Sequence, residues 1–112
     1  MKDDSVYLWH ILECVRRIEE DGADGIEAFR SSHTLQDAIL RNLQVLAESS
    51  RRISSELKAA WPQIDWKRIG AFRNVLVHDY LGLDLEKIWD VTQRDIPELK
   101  KTVERILGES PV

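Results

Sequence analysis

Apolar side chains recur along this chain at helical spacing, and no segment sustains the period-two alternation of a half-buried strand. Leu8, Ile11, Leu12, Val15 and Ile18 stand at i, i+3, i+4, i+7 and i+10. That is one stripe of a helix which Asp4 or Ser5 can cap and which runs to about Asp21. Gly22 and Gly25 interrupt it, and a short turn follows in which Ile26 and Phe29 plug the core. A second helix is expected from near Ser32 to Thr34 as far as Ala60, burying Ile39, Leu43, Leu46, Ile53 and Leu57. Trp61 and Pro62 stop it. Asp65 caps a third helix reaching Tyr80, with Ile69, Phe72 and Leu76 as its apolar stripe. Asp84 caps a fourth, with Leu85, Ile88 and Trp89 inward. Asp95 to Glu98 reads as a capping box with Pro97 in the first turn, so this last helix is expected to restart or kink there. Leu99, Val103, Ile106 and Leu107 complete the core. The predicted fold is all-α: an up-and-down bundle of four main helices plus a short one, in a single domain over residues 1–112.

Charge is unevenly spread. Residues 1–30 hold four basic and eight acidic groups, residues 31–80 seven and five, and residues 81–112 five and seven. The net charge of −4 argues against general nucleic-acid binding, which rests on phosphate neutralisation. Any RNA must be gripped locally, in the middle segment. Cys14 is the only cysteine, which excludes an intrachain disulfide and fits a reducing cytoplasm. It flanks the apolar stripe of the first helix and is expected to pack as a small hydrophobe. Asp3 and Asp4 follow Lys2 with no apolar run, so no signal peptide is expected, and no stretch is long and apolar enough to span a membrane. His10, His33 and His78 lie on three segments without ligand spacing, which predicts no metal site and no cofactor.

The densest chemistry lies between Asp65 and Tyr80. Arg73, Asn74, His78 and Tyr80 bring a guanidinium, an amide, an imidazole and a phenol into eight residues. On a helix, Asn74 and His78 are one turn apart and Arg73 and Tyr80 two turns apart, on a side distinct from the apolar stripe. Spacing alone leaves two readings open. The residues can form a functional groove, or Arg73 can pair with an Asp while His78 sits favourably at a helix C-terminus.

The run Arg73, Asn74, His78, Tyr80 resembles the R-x4-H-x-Y motif of HEPN domains, in particular the HepT-like toxins of bacterial and archaeal toxin–antitoxin pairs. The resemblance extends to Ala38–Ser49, to Trp66–Tyr80, and to Ile88–Trp89 with Asp95–Leu99. One departure is Ala47-Glu48-Ser49, where the family has Gly-Glu-Ala; the Glu is kept.

The resemblance implies metal-independent RNA cleavage, with the substrate 2′-OH attacking the neighbouring phosphate. His78 suits proton transfer because an imidazole titrates near working pH. A fixed Arg73 fork opposes charge growing on the phosphoryl oxygens, and Asn74 orients the imidazole or holds an oxygen. One imidazole does not easily serve as both base and acid, so a homodimer with motifs facing across a twofold axis is implied. Arg41, Asn42 and Glu48 become candidates for holding Arg73 in place. Tyr80, a poor base at neutral pH, resembles the tyrosine that a partner minimal nucleotidyltransferase antitoxin adenylylates. Adding a nucleotide there would block the groove and neutralise Arg73. The alternative is a non-catalytic HEPN module that binds a nucleotide, or a nucleotidyltransferase partner, through the same residues.

Overall fold

A computed structural model describes the backbone of residues 2–75, 77–78 and 82–109, and side chains for residues 4–72, 74 and 84–108. In chain order the elements are α1 (Lys2–Asp21), α2 (Ile26–Arg30), α3 (His33–Arg51), α4 (Ser55–Ala60), α5 (Trp66–Gly70), α6 (Phe72–Val75), β1 (Val77–His78), β2 (Gly82–Leu83) and α7 (Leu85–Glu109). The fold is all-α, relieved among the described residues only by the two-residue antiparallel pairing of β1 with β2. α1 packs along α3 and against α7, while α5 and α6 lie on α3.

One apolar cluster holds these elements together. Leu8, Ile11, Val15 and Ile18 of α1 meet Ile39, Leu43 and Leu46 of α3 and Ile88, Ile96, Val103 and Ile106 of α7, all essentially water-free. Burying each such side chain contributes about 1.5–3 kcal/mol. Phe29 of α2 is fully buried and its ring lies 5.3 Å from that of Trp89, so the short helix does plug the core. Gly25 enters α2 at φ 93°, a left-handed conformation that a side chain would resist. Cys14 is buried, and burial pushes its thiol pKa up, as befits a packing residue rather than a nucleophile.

Four expectations are corrected. Neither Ser5 nor Asp4 caps α1, since the helix begins at Lys2 and takes in Asp4. The buried Asp4 carboxylate instead accepts from the Ser54 N–H at 2.9 Å and from the Ser54 hydroxyl at 2.7 Å. That contact explains the second correction. The helix expected to run from Ser32 to Ala60 stops at Arg51, and α4 starts afresh from an N-cap at Ser54, whose hydroxyl accepts from Leu57 N–H. A buried carboxylate holding both Ser54 donors favours the break over a continuous helix.

Third, the segment after Asp65 is not one helix to Tyr80. Asp65 does cap α5, but Ala71 separates α5 from α6, and Val77–His78 is extended and paired with Gly82–Leu83. β-branched Val75 and Val77 favour that exit from helix. Fourth, the last helix does not restart at Asp95. α7 runs unbroken through Pro97, and the Asp95 carboxylate takes both forks of Arg68 from α5, one of them at 3.1 Å. Gln93 and Pro97 are both exposed, so water can serve the Gln93 carbonyl left without a donor.

Replacing Asp4 by Ala should lower the unfolding free energy by about 2 kcal/mol, because two donors lose their acceptor and α4 loses the support of its cap. Urea denaturation reads this as a shifted midpoint with an unchanged slope. A loss below about 0.5 kcal/mol would show that Ser54 holds the break unaided.

Candidate functional site

The site rests on α5 and α6. The Asp65 side chain accepts from Arg68 N–H at 3.1 Å and fixes the start of α5. The Trp66 indole N–H donates to the Trp61 carbonyl at 3.0 Å, holding the ring against the preceding turn. Ile69 and Phe72, both buried, press the two short helices onto α3. The Arg68–Asp95 fork ties the same segment to α7, and Asp95 beside Arg68 raises the guanidinium pKa above its ordinary value. The helix that leads into the motif is therefore braced from two sides.

Arg73 and Asn74 lie on α6, whereas His78 lies on β1 with Gly82 as its partner. The one-turn relation expected between Asn74 and His78 is thus not helical. The side chains of Arg73 and His78, and all of Leu76 and Tyr80, fall outside the described residues. Asn74 is exposed, with its backbone N–H on the Ala71 carbonyl at 2.9 Å. It lines a groove of about 480 Å³ together with Arg51, Lys58, Trp66, Lys67 and Gly70.

That groove contains residues that motif reading missed. Arg51 comes from α3, Lys58 from α4 and Lys67 from α5. The only sequence signal was the basic excess of residues 31–80.

The three residues expected to support Arg73, whose side chain lies outside the described residues, are not among those that line the groove with Asn74. Arg41 and Glu48 line a different groove of about 460 Å³, with Tyr7, His10 and Arg52. Glu48 accepts from Arg52 at 3.4 Å. Asn42 donates its amide to the Ala38 carbonyl one turn back at 3.0 Å. Among the described residues no group of three or more His, Cys, Asp or Glu side chains could hold a metal ion, and no helix is long and apolar enough to cross a membrane.

The family model described as ribonuclease HepT-like matches residues 11–106. The chain belongs to this HepT-like family. A Methanocaldococcus jannaschii protein named "Gamma-glutamylcyclotransferase and putative RNase" is 37% identical over 109 residues, covering 96% of this chain and 49% of its own length. The chain thus spans about half of that relative. A "Probable ribonuclease HepT" of Thermococcus cleftensis is 33% identical, covering 89% of this chain and 92% of its own. The "mRNA nuclease HepT" of Shewanella oneidensis is 25% identical over 88% of this chain and 92% of its own. No solved structure matches the chain.

For a HepT-like chain the matched span takes in all of Arg73, Asn74, His78 and Tyr80, and also the whole cationic groove beside Asn74.

Proposed function

We propose that this chain is the toxin of a toxin–antitoxin pair and a metal-independent endoribonuclease, working in the cytoplasm as a homodimer whose motifs face one another. The observation that carries the reading is the family match across residues 11–106, supported by a relative named as an mRNA nuclease over most of the chain. In the proposed reaction, His78 takes the proton of a 2′-OH, the 2′-oxygen forms a bond to the adjacent phosphorus, and the bond from phosphorus to the 5′-oxygen breaks. The imidazolium of the partner copy returns a proton to that leaving oxygen. Arg73 opposes the charge on the phosphoryl oxygens, and Asn74 steadies the imidazole or an oxygen. No metal or cofactor is required by this route.

A cognate minimal nucleotidyltransferase silences the toxin by adenylylating the Tyr80 hydroxyl. The bulk and phosphate of the product then occlude the groove and neutralise Arg73.

The chemistry predicts its own products. Purified protein incubated with RNA in excess EDTA should leave 2′,3′-cyclic phosphate and 5′-hydroxyl ends. A substrate carrying a single 2′-deoxynucleotide 5′ to the cut should resist cleavage there. Cleavage that persists at the deoxy position would reject the 2′-OH route. Failure to cut any RNA would favour the non-catalytic module.

A further inference from the structure

The groove beside Asn74 differs in charge from the others. Among the described residues its lining holds Arg51, Lys58 and Lys67 and no carboxylate. By contrast, the groove of Tyr7 and Arg41 includes Glu48, and the one along α7 includes Asp65, Asp95 and Glu98. Among the described residues none of Arg51, Lys58 and Lys67 makes an ion pair, although Arg16, Arg17, Arg30, Arg52, Arg68, Arg94 and Lys100 all do. Three cations drawn from three helices into one groove, without an ion-pair partner among the described residues, repel one another. In a chain with four more acidic than basic groups, such a grouping points to an anionic ligand.

Two further features narrow the ligand. Trp66, half-buried and fixed through its indole N–H, lines the same groove, and a held aromatic ring is a platform on which a base can stack. Gly70 keeps the groove open: a Cβ there would come within 3.2 Å of the Arg51 side chain, so the missing side chain lets the Arg51 stem lie across α5. Asn74, the residue next to Arg73, also lines it.

We propose that this groove is the track for single-stranded RNA leading away from the cleavage centre. Arg51, Lys58 and Lys67 hold successive phosphates and Trp66 carries a base. The assignment rests on the ribonuclease reading for its substrate, and it supplies the local grip that a net acidic chain needs.

The test is binding of a fluorescein-labelled single-stranded RNA 12-mer, followed by anisotropy over a NaCl titration. All proteins carry His78→Ala so that the RNA stays intact. Lys58→Gln with Lys67→Gln should weaken binding about tenfold or more. Losing two phosphate contacts should also reduce the slope of log affinity against log salt by about 1.4. Lys58→Arg with Lys67→Arg should restore both, since the charge is kept. Far-UV circular dichroism and the urea midpoint should stay as in the parent, because neither lysine is part of the core. With His78 intact, the glutamine pair should raise KM far more than it lowers kcat.

Unchanged affinity and slope in the glutamine pair would overturn the track. So would unchanged RNA binding joined to loss of copurification with the nucleotidyltransferase, which would make the groove a protein-docking face. The two readings fail separately. A parent that binds RNA through the lysines without cutting it removes the ribonuclease reading and leaves the track. A parent that cuts RNA regardless of the lysines does the reverse.

Discussion

His78→Ala and Arg73→Ala should each stop RNA cleavage and relieve the growth arrest expected when the chain is expressed alone. Removing a general acid–base group typically costs about 10²–10⁴ in rate. In the dimer proposed here His78 acts once as base and once, from the other copy, as acid, so its loss should fall at the upper end. Losing the charge-stabilising fork should cost about 10²–10³ in rate. Arg73→Lys should recover little, because an ammonium cannot reproduce the bidentate geometry. Asn74→Ala should be milder, since an amide assists either the imidazole or an oxygen without moving a proton. Growth, in-cell abundance, circular dichroism and cleavage of a defined RNA are read together. If either alanine variant cuts at the parent rate while equally abundant, the ribonuclease assignment fails and the non-catalytic module replaces it.

Local signals carried much of the fold. The stripe from Leu8 to Ile18 and the break at Gly22 bound α1 at Asp21, and Ser32 accepts from Leu35 N–H at the start of α3 as a capping serine should. Asp65 and Asp84 also cap, through the N–H groups of Arg68 and Lys87. These features are legible because each interaction closes within four residues. The misplaced boundaries have distant partners. Nothing between Ser49 and Ser54 is a helix breaker by type, and α3 ends there because Asp4, fifty positions away, takes the donors of Ser54. Likewise Asp95 looked like a cap only until Arg68, 27 positions away, claimed it.

The site divides in the same way. Arg73, Asn74, His78 and Tyr80 stood out by type and order, whereas their geometry was extrapolated from a helix that ends at Val75. Val77 and His78 carry weak helical preference, and pairing with Gly82–Leu83 decides their extended form. The cationic groove could not be read in advance for a different reason. Arg51, Lys58 and Lys67 share no motif and no single face; they come from α3, α4 and α5 and line one groove only in the folded chain, where α5 packs on α3.

Tyr80→Phe should give a toxin that its antitoxin cannot silence. The substitution keeps the ring and removes only the oxygen that would accept a nucleotide, so folding, dimerisation and RNA cleavage should continue at about the parent level. When the parent is coexpressed with a competent nucleotidyltransferase, the peptide containing Asp79, Tyr80 and Leu81 should gain the mass of adenylate and the cells should grow. With Tyr80→Phe the same coexpression should add no mass and should not restore growth. A modifying antitoxin needs an acceptor atom and need not remain bound, whereas an occluding one needs only a surface. A partner that works by occlusion would silence Tyr80→Phe as well as the parent, because a phenyl ring preserves almost all of the surface that a phenol presents. Growth rescued in Tyr80→Phe cells without modification would therefore reject the covalent switch. It would leave the roles proposed for Arg73 and His78 intact, since neither depends on how the toxin is turned off.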